Sequence, residues 1–488
     1  MRRDLFIVLL LVCTLTTIQA QTETQALRFS MLNPFGTARY AAQGGATGAL
    51  GSDFSAVQLN PAGLGFYRSS EFSFTPSFYW VNTSSNYMGE MAEESRFRFN
   101  VGSMGYASGI NSKRKSGFVG ASFAIGYNTL VNFNNRTTIS GSHASSSLLD
   151  DFTWHANSDP ANADPDNLNP FYEQVAYDAY LLPFDETAQE YWNDIENGGY
   201  GQEQYRLVDQ SGYIGEYSIS GAFNFSNFLY MGGTLGFQSV RFNEEIYHSE
   251  TDPNNMLADF NSLYFREFNY TRGWGYTMRF GMIIRPFQML RMGATFQIPT
   301  FYQLTDEKLT DASSTWDAGS GIPAGSAYSP NGIYDYKLRS PLRVNAHASV
   351  ILFKMATLSA AYEYADYASA QLDAYDDKFL EENDRIHKDF QAVHNMKAGA
   401  EVRINFAYLR GGFQYLMSPY SDSRNNAREF IYSCGTGVRT RDMFFDISYA
   451  YGHQEAVYGL YSPAPGVNEV SINQVNRNNI MVTMGLKF

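Results

Sequence analysis

The sequence predicts an all-β chain: a transmembrane antiparallel β-barrel of about 14 strands with an N-terminal hatch in its lumen. Three observations carry this. From about Ser69 to the C-terminus, apolar residues alternate with small or polar ones, in segments long enough to cross a bilayer as strands. The connectors between these segments alternate between short and long. Charged residues make up only 17% of the chain, aromatics 16%, and 41 residues are glycine. That composition suits strands that are apolar on one face and polar on the other.

The 488 residues include 35 Lys+Arg against 49 Asp+Glu, a formal net charge of −14. A barrel accommodates this length as one unit. Past the N-terminus no apolar run reaches the ~18 residues of a membrane helix. The acidic balance argues against a nucleic-acid partner, which needs a basic stripe.

Taken along the chain, residues 1–20 form an export signal. Arg2 and Arg3 precede an apolar run over 5–12, and Ala20 ends the segment at a small-residue cleavage point. Two rival readings are weaker. An Arg pair is ordinary in any signal, and Val12 is bulkier than the residue usual before a lipoprotein cysteine such as Cys13. The mature chain then starts at Gln21 and keeps one cysteine, Cys434, which cannot form an internal disulfide.

Residues 21–68 do not alternate. Small residues dominate, as in Gly44-Gly45-Ala46-Thr47-Gly48-Ala49-Leu50-Gly51, which lets backbone pack closely against a wall. Ser52 or Asp53 can N-cap a short helix that stops before Pro61. A compact segment ahead of the first strand, too small to fold alone, predicts a hatch in the lumen. The glycine run lacks a following Lys-Ser/Thr and a suitable preceding strand, so it is no phosphate loop.

The barrel proper spans 69–488. Its alternation predicts strands over 70–82, 95–107, 116–129, 211–226, 228–245, 263–284, 288–305, 333–353, 355–370, 390–405, 407–418, 427–439, 442–457 and 475–488. Short turns fall at 111–115, 226–227, 285–287, 353–354, 405–406 and 440–441, with long connectors between. Short inner turns against long outer loops are the habit of transmembrane barrels. Glu216, Arg279, Arg343, Glu363, Lys397, Glu401, Arg403 and Arg410 fall on the small, polar face. They are expected to pair with one another and with the hatch.

The longest connector, 130–210, is acidic: residues 150–209 hold fourteen Asp/Glu and one basic residue, Arg206. It is helix-compatible over 171–195, with Tyr172, Val175, Ala176, Ala179 and Tyr180 near one face. Two readings stand: a solvated outer loop, or a cap over the barrel mouth that touches ligand or a partner. Asp164 and Asp166 offer carboxylates for calcium, at a spacing that matches no EF-hand loop.

The chain ends with Ile480, Val482, Met484, Leu486 and Phe488 on one face. An alternating last strand with a terminal aromatic is a recognition signal for the barrel assembly machinery, and that strand must pair with the first to remove open edges. The seven histidines form no HExxH and no ligand-spaced pair with carboxylates, so no metal or cofactor is expected. No GxSxG nucleophile elbow occurs, and no enzymatic activity is expected.

The stretch from Ala41 to Gly51, residues 53–57, and above all Asn60-Pro61-Ala62-Gly63-Leu64 resemble the outer-membrane long-chain fatty acid transporter family (FadL/TodX). The motif match is compact over about residues 35–78; elsewhere the resemblance is one of architecture. It implies that the Asn-Pro-Ala motif belongs to a hatch blocking a fourteen-stranded barrel. It further implies uptake of a hydrophobic small molecule, such as a fatty acid, with sideways release into the lipids of the outer membrane through a gap at a kinked early strand. Gly117, Gly120 and Gly126 make the third strand the candidate for that opening, although glycine in a barrel strand more often relieves crowding. Two alternatives remain: a relative serving as a partner-binding or secretion-associated barrel, with the acidic loop as docking surface, and an outer-membrane lipid hydrolase.

Overall fold

The computed structural model describes residues 23–112, 114, 116–375, 377–461 and 470–488; the expected export signal lies outside them. Among the described residues, fourteen antiparallel strands close into a barrel. They are β1 (Glu71–Tyr87), β2 (Glu90–Asn111), β3 (Phe118–Asn132, resuming over Asn135–Gly141), β4 (Glu203–Phe225), β5 (Leu229–Thr251) and β6 (Phe260–Ile284). There follow β7 (Leu290–Gln297, then Phe301–Trp316), β8 (Gly332–Arg339, then Arg343–Leu352), β9 (Ala356–Asp366), β10 (Ala392–Ile404), β11 (Ala407–Leu416), β12 (Glu429–Arg439), β13 (Met443–Gly459) and β14 (Val470–Lys487). Neighbours in sequence are neighbours in the wall. β1 meets β14 from Glu71↔Lys487 to Asn86↔Ile472, which closes the ladder. A closed ladder leaves no edge for lipid to strand.

Each expected strand is present, and several run further than the alternation indicates. β5 has 23 residues and β6 has 25. Beyond the bilayer both faces meet water, so the apolar half of the pattern fades while the ladder continues. One consequence corrects an expected long connector. β1 and β2 are joined by a two-residue turn, Met88-Gly89, with φ +53° and +85°, the geometry tight hairpins favour.

The outward face identifies the membrane band. On β6 the exposed Met282, Phe280, Met278, Tyr276 and Trp274 run upward until Arg272. Phe118, Phe228, Phe287, Phe353, Phe406 and Phe488 are exposed around the short-turn end. Phe99, Tyr217, Trp274, Tyr276 and Tyr432 are exposed higher on the wall. Two aromatic belts around an apolar band mark an outer-membrane-type barrel. No helix among the described residues is long and apolar enough to cross a membrane.

The lumen is filled by polar pairs. Arg279 binds Glu216 through two bonds of 2.6 and 2.7 Å, and Arg343 binds Glu363 at 3.1 Å. Arg410 joins Glu401 and Asp446, each at 2.7 Å. Arg403 departs from expectation. It is exposed at the short-turn end, with Nε donating to Asn405 O at 2.9 Å, because β10 ends one residue later.

The long connector begins only at residue 142, because β3 resumes after a break, and it ends at 202. It is a folded cap rather than a solvated loop. Leu149, Phe152, Leu168, Val175, Leu182 and Ile195 are buried together against Leu263, Phe265 and Ala312 of the barrel rim. The expected helix over 171–195 is not continuous. α5 covers Glu173–Asp178, a small hairpin pairs Phe184 with Tyr191, and α6 covers Asp194–Gly198. Pro183 cannot supply a helical N–H, and Tyr180 sits at φ +59°, exposed rather than on the packed face. Asp164 caps its own short turn by accepting from Asp166 N at 3.2 Å. Among the described residues no cluster of three His, Cys, Asp or Glu side chains could hold a metal ion.

Candidate functional site

Residues 23–68 pack inside the barrel against the lumen face. They form α1 (Glu23–Ser30), α2 (Ala38–Ala42), α3 (Ala56–Leu59) and a 3-10 turn over Pro61–Phe66. α3 starts later than the sequence suggests. Ser52 and Asp53 lie outside it, and the Asp53 carboxylate accepts from Thr37 Oγ1 at 2.9 Å and Ser55 N at 2.9 Å. This ties Thr37 before α2 to the turn ahead of α3, and wall bonds then fix the segment in place. Ala38 N donates to Thr483 Oγ1 at 2.7 Å, and Gly44 N to Ser433 Oγ at 3.1 Å. Arg39 pairs with Glu401 at 3.0 Å, extending the lumen ion network into the N-terminal segment.

Asn60-Pro61-Ala62 is fully enclosed. Asn60 is extended, with φ −155°, and its Oδ1 accepts from Ala62 N at 3.2 Å while Nδ2 donates to Met282 O of β6 at 3.2 Å. Pro61 takes the first position of the 3-10 turn, where its missing N–H costs nothing. Gly63 and Leu64 are buried in the same turn. The wall makes room: Gly232 and Gly281 are cross-strand partners, and Gly293 lies on β7 beside them. A Cβ on Gly281 would collide with Asn60 Oδ1, and one on Gly232 would stand 2.6 Å from the Pro61 carbonyl carbon. The alternation pattern does not single out these three glycines, because glycine is common on the small face of every strand.

The wall is discontinuous between β2 and β3. Their ladder runs from Asn111↔Gly120 to Ser103↔Asn128 and stops. Above it β2 pairs only with β1, and the resumed part of β3 pairs only with β4. The break itself lies at Phe133-Asn134. Gly117, at φ +71° in the turn, Gly120, at a bulge, and Gly126, packed on Phe54, all lie below it. The interruption is therefore on the expected strand but above its glycines. Asn132, Asn134 and Asn135, side chains that compete for backbone bonds, were the local signal.

The N-terminal segment covers this discontinuity from within. Phe35 N donates to Thr129 O at 3.0 Å and Asn33 N to Leu130 O at 3.2 Å. Both carbonyls lie just past the last β2–β3 pair, Ser103↔Asn128. Next to them is a cavity of about 370 Å³. Its lining mixes apolar Met31, Leu32, Phe35, Tyr79 and Val131 with polar Lys397, Asn395, Gln414 and Arg477. Above the cavity α1 buries Leu27 and Phe29 in an apolar cluster with Phe242, Tyr336, Leu338, Phe379 and Phe390. Among the described residues, apolar side chains therefore continue from the loop end down to the break in the wall.

No family model matches the chain, and no curated protein matches it. Solved structures do. The chain is similar to a Pseudomonas aeruginosa FadL homologue at 11% identity and TM-score 0.55, over 94% of this chain and 100% of that one. It is similar to the P. putida toluene transporter TodX at 12% identity and TM-score 0.51, over 93% and 99% respectively. At such identities the likeness is one of fold, and the fold of this chain is that of FadL and TodX, as the Asn60-Pro61-Ala62 turn and the fourteen strands foretell.

Proposed function

We propose that this protein is an outer-membrane channel for the uptake of hydrophobic small molecules such as long-chain fatty acids. Residues 21–68 act as a hatch, and ligand leaves sideways into the bilayer through the gap above Ser103 and Asn128. The observation that carries the proposal is the seal at Phe35–Thr129 and Asn33–Leu130, a backbone patch over a missing ladder beside a partly apolar cavity. A water-filled pore does little for an apolar molecule, whose burial gains about 0.8 kcal/mol per CH₂; an apolar path to a side exit does. The toluene transporter among the similar structures fits this reading.

The folded acidic cap favours a second reading, a barrel that docks a partner protein. Ala62→Trp separates the two. Ala62 is fully buried, so the bulky ring displaces the hatch while the barrel keeps its own ladder. Uptake of a fluorescent fatty acid by cells should be lost or altered, with normal expression and normal heat-modifiable migration. Wild-type uptake of every hydrophobic probe by a correctly inserted variant would favour the docking reading.

A further inference from the structure

We infer that the outer wall carries a binding site for the phosphorylated headgroup of a lipid, built where three neighbouring strands break at one height. β7 is interrupted around Pro299, β8 around Pro341, and β9 ends at Asp366. A proline cannot give a ladder bond, so such breaks sit where pairing can lapse. The gap is bridged by Ser340 N to Thr300 O at 3.0 Å and Thr300 N to Ser340 Oγ at 2.9 Å. Above it, residues 371–373 take over as the partner of β8. The dent so formed is a cavity of about 490 Å³.

Register decides which side chains meet there. Tyr276, Phe301, Arg339 and Gln371 form one cross-strand row, and Gln303, Lys337 and Asp373 lie in the next row up. Phe301, Gln303, Lys337, Arg339 and Gln371 are exposed, as is Tyr276. Tyr276 and Phe301 stack at 5.4 Å between ring centres. Below the break the outward row is apolar: Phe280, Phe296 and Val344 are partners in register and exposed. The dent therefore lies at the border between acyl chains and headgroups, on an aromatic step.

Its charges are unbalanced. The outward cations higher on β6 are matched: Arg272 meets Glu307 at 3.0 Å, and Arg266 meets Asp311 at 2.6 Å. Asp373 is held by Lys378 at 2.8 Å. Among the described residues the side chains of Lys337 and Arg339 make no contact ion pair and no hydrogen bond, although Lys337 stands opposite Asp373 in the ladder. Two cations two residues apart on one strand face are about 6.5 Å apart along the backbone. They can grip a multi-oxygen anion from two sides, and the Arg fork suits phosphate. The acyl chains would then lie on Phe296, Phe280 and Val344. This site faces lipid and belongs to β6–β9, apart from the β2–β3 gap.

Native mass spectrometry of the purified full-length barrel tests it, with three probes: dimyristoyl phosphatidic acid, dimyristoylglycerol and inorganic phosphate. The wild type should bind the phosphatidic acid at least roughly tenfold more tightly than the diacylglycerol. Lys337→Gln/Arg339→Gln should lose that preference, whereas Arg272→Gln, at a matched cation, should keep it. Equal binding of the two lipids by wild type would overturn the site, and so would an unchanged preference in the double variant. Displacement of the lipid by inorganic phosphate at equal concentration would overturn its assignment to a lipid.

Discussion

Asn60 does two things at once: it caps the turn that follows it and holds that turn to the carbonyl of Met282. Its side chain has no water to fall back on, so loss of either bond leaves a buried group unpaired at a cost of about 1–3 kcal/mol. Gly281→Ala tests the fit from the wall side, because the added methyl meets Asn60 Oδ1. The expected outcome is faster hydrogen exchange over residues 52–66 with unchanged heat-modifiable migration of the barrel; unaltered exchange would show that the turn tolerates the intrusion. The motif itself was legible in the sequence, and its burial follows. Gly232, Gly281 and Gly293 were not, because a glycine that admits a hatch and a glycine that relieves lumen crowding have the same place in a period-two pattern.

His155 ties α4 (Leu148–Ser158) of the cap to itself. Its hydrogen bond to Asp151 pushes it up to about 9, from 6.5. A base with a raised folded value contributes its full stabilisation below pH 6.5 and loses it as pH rises through about 9. Exchange protection of the 142–202 cap should therefore fall between pH 7 and 9.5, after correction for intrinsic exchange, and His155→Gln should flatten the change. A wild-type cap that tightens over this range would contradict the assignment. At the other end of the chain, Phe488 bonds Ser70 through both backbone groups at 3.0 Å, and its ring is exposed. Phe488→Ser should leave the ladder intact once formed but reduce insertion, read as degraded protein in the membrane fraction; wild-type levels of heat-modifiable barrel would remove its role in assembly. The strands were legible because lipid and lumen impose opposite demands on alternate residues. The cap stood only as one of two readings, because its helices are one to three turns long and owe their existence to burial on the barrel rim rather than to their own periodicity.

At the scale of the whole molecule, the short turns gather at one end and the cap at the other, and the proposed function has the cap outside the cell. Protease added to intact cells should clip the exposed part of 150–209, around Asp164; cleavage only after lysis would invert the orientation. The arrangement also bears on the proposed hatch. The β2–β3 ladder stops at Ser103↔Asn128, and Phe35 and Asn33 bind the carbonyls of Thr129 and Leu130 just beyond it from inside. The same patch that completes the wall would open it by leaving. Locking it shut is the most direct test. The background is Cys434→Ser, since Cys434 is the one described free cysteine. Phe35→Cys and Thr129→Cys then place thiols on residues already joined by a backbone bond of 3.0 Å. With the cross-link verified by mass, uptake of a fluorescent long-chain fatty acid should be blocked in the oxidised protein and restored by reductant. Wild-type uptake with the cross-link intact would contradict lateral release through this gap.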